Sequence, residues 1–307
     1  MKARSTRGIA LINALIIVAS ISAISIALLA RTERAMQHVA LRHEAAQADR
    51  YLEAAEALLR IVLDRHDAEL VHLGQGWARP REGEPIDRGS VDWMIHDLQG
   101  RFNVNRMIGD EEAAIRARDA FFQLAVAQGV SEDRARMLVE AFSPVEARRD
   151  AVFGGVAGES LAPPLPLRNL RELGLIAGVG TADIARLSRV ATALPGETAL
   201  NVNTAAPEVV SAVLSGPNAS FLSALELRQA NDPFLDVEDF LEWGRGFPGN
   251  GAADLASQMD LSVGSEWFEA EIEATLGSVS RTRSLVLHRP TAEKRTLGVF
   301  SLAEIRR

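Results

Sequence analysis

The sequence contains no cysteine in its 307 residues. That excludes a disulfide framework, a thiol nucleophile and a thiolate metal site. Lysine is nearly as scarce: only Lys2 and Lys294 occur, and the rest of the 33 basic residues are arginine. The net charge of −8 is ill suited to neutralising a nucleic-acid backbone. Neither glycine nor proline occurs from residue 9 to residue 73. The two residue types that most readily interrupt a helix are therefore missing from a long stretch. Gly-x-Ser-x-Gly, His-Glu-x-x-His and Walker-type phosphate loops are absent as well, so no enzyme class is indicated. Hydrophobic residues make up 47% and charged residues 24%, which marks an ordered globular chain with room for two domains.

Residues 9–30 read IALINALIIVASISAISIALLA, without a charge. As a helix this run spans about 33 Å, enough for a hydrocarbon core of about 30 Å. Lys2, Arg4 and Arg7 precede it, which places the N-terminus in the cytoplasm by the positive-inside rule. The bulk of the chain then lies across the membrane. A cleaved secretory signal has a shorter apolar run followed by small residues, and Leu28-Leu29-Ala30 lacks the small residue at the −3 position. A plain signal anchor fits the hydropathy. A third reading uses more of the sequence: Arg7-Gly8-Ile9-Ala10-Leu11-Ile12 resembles the processing site of type IV pilins and pseudopilins, where a basic leader ends in glycine and the apolar helix is retained.

Residues 31–73 are rich in Ala, Arg, Glu and Leu, all good helix formers. Leu52, Ala55, Leu59 and Val62 form one apolar stripe, widened by Tyr51, Leu58 and Leu63. One continuous helix over 9–73, about 97 Å long, is predicted. Residues 74–89 read as a loop through Gly74, Gly76, Pro80, Gly83, Pro85 and Gly89. Alternation predicts a strand over 90–97, then a turn and a second strand over 101–104. Helical patterns follow at 113–128, 131–141 (with Ser131 as N-cap), 167–173, 181–194, 206–214, 221–230 and 237–243. Residues 143–168 read as a loop. Strands return at 267–275, 279–288 and 296–302. Glu269, Glu271 and Glu273 share the solvated face of the first of these.

Three ordered segments carry a family resemblance: Arg7 to Ile12, then Asp97-Leu98-Gln99-Gly100-Arg101-Phe102-Asn103-Val104-Asn105, then Leu200-Asn201-Val202-Asn203-Thr204-Ala205-Ala206-Pro207-Glu208-Val209. In sequence and order they resemble general secretion pathway protein K, the K-type minor pseudopilins of type II secretion systems. The resemblance implies an α+β pseudopilin fold: a long N-terminal transmembrane and amphipathic helix, a small antiparallel β-sheet and a large inserted α-helical domain. The expected division is a leader at 1–8, a transmembrane helix at 9–30, the rest of the long helix and the first strands at 31–109, a helical insertion at 110–262, and closing strands at 263–307. It further implies cleavage between Gly8 and Ile9 by a prepilin peptidase, N-methylation of Ile9, and an inner-membrane location with a periplasmic domain. The implied role is non-enzymatic: a place at the pseudopilus tip with I- and J-type minor pseudopilins, helping to initiate assembly and protein export. Asn13 stands at the fifth mature position, where most pilin-like proteins have glutamate and K-type proteins typically do not.

Relatives also imply a structural calcium ion, but their acidic Asp-Trp-x-Asp-x-Asp stretch is replaced here by Glu140-Ala-Phe-Ser-Pro-Val-Glu146. The expectation for this chain is no metal or other cofactor. His66 and His72 lie off the three- or four-residue spacing that joins ligands on one helix face. Ile176-Ala177-Gly178-Val179-Gly180 ahead of a helix, with residues 201–209 behind it, also looks like a helix-hairpin-helix unit that holds a DNA backbone through glycine N–H groups. That supports an alternative, a membrane-anchored pilin-like DNA-binding protein of an uptake machine. Residues 110–262 hold 12 Arg, no Lys and 22 Asp plus Glu, a balance of 12 − 22 = −10 that argues against nucleic acid.

Overall fold

In the computed structural model the described residues are 5–143, 164–176, 178–214, 219–247, 260–290 and 299–305. Helix α1 runs from Ser5 to Arg65 as one uninterrupted element of 61 residues. It stops short of the expected residue 73 although no glycine or proline intervenes. Past it, the Asp67 carboxylate accepts from the Glu69 N–H at 2.9 Å, a local turn that competes with helix. The Val71 N–H then bonds the Val263 carbonyl at 2.7 Å, a tertiary contact that draws the chain away from the helix axis.

The expected loop at 74–89 contains a strand, β1 (Arg81–Ile86). Pro85 sits in it because β1 is an edge strand, where a missing N–H costs no ladder bond. Strand β2 (Gly89–Asp97) matches the predicted alternation, with Val91, Ile95 and Asp97 buried. The second expected strand shrinks to β3 (Phe102–Asn103). Helices α2 (Glu112–Ala127) and α3 (Glu132–Ala141) follow, with Ser131 at the N-cap position of α3 but making no side-chain cap bond. Much of the 143–168 loop lies outside the described residues.

A 3-10 stretch at Leu170–Leu175 replaces the predicted helix at 167–173. Helix α4 (Thr181–Leu187) ends seven residues before the predicted 194, and β4 (Ala191–Thr192) follows. Tertiary pairing overrides propensity here. The Phe102 N–H takes the Val190 carbonyl at 2.8 Å, and β3 and β4 run parallel with Phe102 opposite Ala191. Then come β5 (Leu200–Asn201), α5 (Pro207–Val213), α6 (Ala219–Asn231), α7 (Val237–Arg245) and β6 (Leu261–Ser262), with β5 and β6 parallel. Strands β7 (Trp267–Leu276) and β8 (Val279–His288) are the predicted alternating pair, joined through Gly277 at φ 54. The last strand, β9 (Phe300–Ile305), lies later than the expected 296–302 and pairs antiparallel with β8.

The main sheet has the order β1-β2-β7-β8-β9. Strands β2 and β7 are neighbours in space, yet the described helices α2 to α7 lie between them in the chain. The helical block is therefore an insertion into a small sheet.

Two compact units result. One comprises residues 1–56, 82–92 and 272–282. Within it the Glu44 carboxylate accepts from Arg88 at 3.3 Å, and Gly89 backs onto the Thr275 carbonyl so closely that a Cβ would not fit. The other unit comprises 57–81, 93–271 and 283–307. Its core is built on Phe102, Phe121, Leu124, Leu138, Phe221 and Phe240, all within 1% of complete burial.

Candidate functional site: the apolar helix and the motif clasp

Residues 11–29 of α1 are exposed along their whole length. In water this would be a large uncompensated apolar surface, whereas in lipid it is the expected one. Among the described residues, α1 is the one helix long and apolar enough to cross a membrane. Gly8 and Ile9 lie within its first turns, and Asn13 is exposed on the same stretch. The three lie along one helix.

The two internal motifs, by contrast, meet in space. Asp97 is buried at the end of β2. One of its oxygens accepts from Ser265 Oγ at 2.6 Å, Thr204 Oγ1 at 2.6 Å and Asn201 Nδ2 at 3.0 Å, and the other from the Gln99 N–H at 2.8 Å. Burial raises the Asp97 pKa above the ordinary carboxylate value, while those four donors pull it part of the way back. A Cβ on Gly100 would lie 2.5 Å from the Thr204 carbonyl oxygen, so the first motif needs glycine where the second passes over it.

Asparagines of both motifs hold loop backbone with the side-chain amide, Asn105 and Asn203 each pairing both ways with one residue and Asn103 spanning two. Asn105 accepts from the Leu167 N–H and donates to the Leu167 carbonyl, both at 2.8 Å. Asn203 does the same with Phe234, at 2.8 and 2.9 Å. Asn103 accepts from the Leu194 N–H at 3.0 Å and donates to the Pro195 carbonyl at 2.8 Å. Each supplies partners to loop backbone, and a buried backbone group left without one costs about 1–3 kcal/mol. The sequence shows these residues as a motif but not as a clasp. Their signal is polar amides set among apolar residues, and it does not say which loops they hold.

Glu269 departs from the expectation of a solvated face. Its side chain is 14% exposed and takes Arg101 Nη1 at 2.9 Å, while Glu273 on the same strand is exposed. The hairpin ahead of α4 is occupied from within: the Gly180 N–H points to the Asp183 carboxylate at 3.4 Å, and Arg134 and Arg186 both pair with that buried carboxylate at 3.2 Å. A phosphate would find that N–H already facing a carboxylate held by two arginines. No group of three or more His, Cys, Asp or Glu side chains among the described residues is disposed to hold a metal. Residues 144–146 of the 140–146 stretch lie outside the described residues.

Residues 100–196 match the family described as Type II secretion system (T2SS), protein K. A Type II secretion system protein K from Klebsiella pneumoniae is 30% identical over 95% of this chain and 94% of its own length. The chain belongs to the type II secretion system protein K family. A second member, from Pseudomonas aeruginosa, is 26% identical over 89% of this chain and 86% of its own. The fold is that of a chain in the crystal structure of the GspK-GspI-GspJ complex from enterotoxigenic Escherichia coli. The TM-score is 0.66 with 22% identity, over 86% of this chain and 97% of that one. Membership makes the protein a minor pseudopilin, and the exposed apolar helix fits a single-pass membrane anchor. The clasp then sits where the inserted helical block leaves and rejoins the pseudopilin sheet.

Proposed function

We propose that this pseudopilin occupies the tip of the type II secretion pseudopilus, where it helps to initiate filament assembly and hence protein export across the outer membrane. The observation that carries this reading is the bulk of the helical insertion. A block of about 150 residues has a radius of gyration of about 15 Å and so a diameter near 40 Å. Neighbouring helices in a filament pack about 8–10 Å apart. Repeated along a shaft such blocks would collide, whereas a block at the end has no neighbour above it. Asn13 agrees with this position. A buried acid needs a cationic partner, plausible only where another subunit's N-terminal amine lies ahead; a leading subunit has none.

The N-terminus then faces the cytoplasm, the span crosses the inner membrane and the rest is periplasmic, as Lys2, Arg4 and Arg7 favour. A prepilin peptidase cuts between Gly8 and Ile9, and Ile9 becomes the N-methylated mature terminus. I- and J-type minor pseudopilins are the partners, by analogy with the Escherichia coli complex. The role is non-enzymatic, with no metal or nucleic acid. Gold labelling of assembled pseudopili tests the assignment: one label at one end is expected, and regular labelling along the shaft, or filaments formed by this chain alone, would refute it.

A further inference from the structure

Just beyond the apolar run, α1 carries Arg31, Arg34, His38 and Arg42, all exposed. At about 100° per residue they fall within a sector of about 80° on one helix face. Glu33 is the sole acid from residue 31 to residue 43, and it lies on the opposite face. The stripe begins where the apolar run stops. With a rise of about 1.5 Å per residue, Arg31 stands about 1.5 Å and Arg34 about 6 Å above Ala30, whereas His38 and Arg42 stand about 12 and 18 Å above it. The polar headgroup layer is only about 5–8 Å thick on each side of the hydrocarbon.

We propose that Arg31 and Arg34 form a collar that binds the phosphodiesters of anionic phospholipids in the leaflet at the C-terminal end of the span. Guanidinium groups suit this ligand, since each offers a fork of donors to phosphate oxygens while its methylene stem lies along the acyl boundary. The collar fixes the depth of the helix and gives the anchor a preference for lipid charge, not only for apolar thickness. The heights make the effect graded. Arg31 and Arg34 lie inside the headgroup layer, and Arg42 lies about a Debye length outside it, where attraction to the surface is mostly screened. An acidic partner helix running alongside α1 would instead engage the three arginines alike.

The proposal rests on α1 spanning the membrane, which alkaline carbonate extraction of the full-length protein checks separately. A chain released by carbonate fails both readings together. The test proper places the full-length protein in nanodiscs of equal phosphatidylcholine and phosphatidylglycerol and counts the lipids it retains on ejection into a mass spectrometer. About fivefold preference for phosphatidylglycerol at each of the two arginines is expected for the natural sequence, since an interfacial arginine adds about 1 kcal/mol. R31Q/R34Q should abolish the enrichment, R31K/R34K should keep most of it, and R42Q should leave it nearly unchanged. Equal retention of the two lipids by the natural sequence would overturn the proposal. So would a loss in R42Q as large as in R31Q/R34Q, which would mean that the charge of the whole stripe, and not the depth of Arg31 and Arg34, sets the lipid preference.

Discussion

The guanidinium of Arg289 donates from Nη1 to the carbonyl oxygen of Leu63 at 2.8 Å, closing the C-terminal end of α1 from 226 residues away in the chain. The same nitrogen reaches the His66 carbonyl at 3.3 Å, and Nη2 reaches the Ser265 carbonyl at 3.1 Å. The Phe268 ring lies 5.0 Å beneath the guanidinium carbon. A cation is well placed there, since the last carbonyls of a helix are both unpaired and at the negative end of its dipole. R289A should cost about 3 kcal/mol, because buried carbonyls lose their donor. R289K should recover part of that loss. Urea midpoints of the full-length protein in detergent measure both, and an R289A midpoint equal to that of the natural sequence would remove the clamp from the account.

Asp97 makes stability depend on pH in a direction opposite to that of a surface carboxylate. Its folded pKa lies above the ordinary value of 3.8, so the folded state holds its proton to higher pH than the unfolded state does. That term favours the fold most below the ordinary value, and the advantage is lost as pH rises through the folded pKa. Compared with D97N, the natural sequence should be relatively most stable below the ordinary value of 3.8, losing ground as pH rises until Asp97 is ionised. Denaturation midpoints of the two proteins across that range provide the check; parallel profiles would mean that burial does not set the protonation of Asp97.

Processing at Gly8 predicts a mature chain that begins at Ile9 and lacks residues 1–8. Intact mass of protein extracted from native membranes reads this directly, with one added methyl group on the terminal amine. Gly8→Leu should yield the unprocessed mass. A natural-sequence product starting at Met1, or beyond Ile9, is incompatible with the proposal.

Asp183 predicts that duplex DNA will not bind. The hairpin N–H that a phosphate would need already faces this carboxylate, and the block around it carries a charge of −10. The full-length protein in detergent should pass through a DNA column at about 0.15 M salt. Retention that weakens steeply with added salt would favour the DNA-uptake reading instead.

Much of the framework was legible because single-chain rules decide it. An interval free of glycine and proline announced α1, and the alternation from Trp267 onward, ended by Gly277, announced β7 and β8. Strand β1 was not legible: Arg81, Gly83, Glu84 and Pro85 read as a loop, and only the free outer side of an edge strand makes them acceptable. The end of α4 was missed for a related reason. Residues 188–194 suit a helix locally, but Asn103 captures the Leu194 N–H from 91 residues away. Of the candidate site, Gly8, Ile9 and Asn13 stood out as a pattern in one short stretch. The Asp97 clasp joins residues up to 168 positions apart, and no local periodicity encodes such a meeting.

The absence of any break in α1 has a mechanical meaning. A helix bends sharply at proline, at glycine pairs or where its ladder is interrupted, and this one offers no such joint over 61 residues. It has no compliant hinge in which a push could be dissipated. Axial displacement applied at the membrane end therefore arrives at Arg65 with little loss, about 90 Å away. The helix is thus one stiff strut from the apolar run to Arg65.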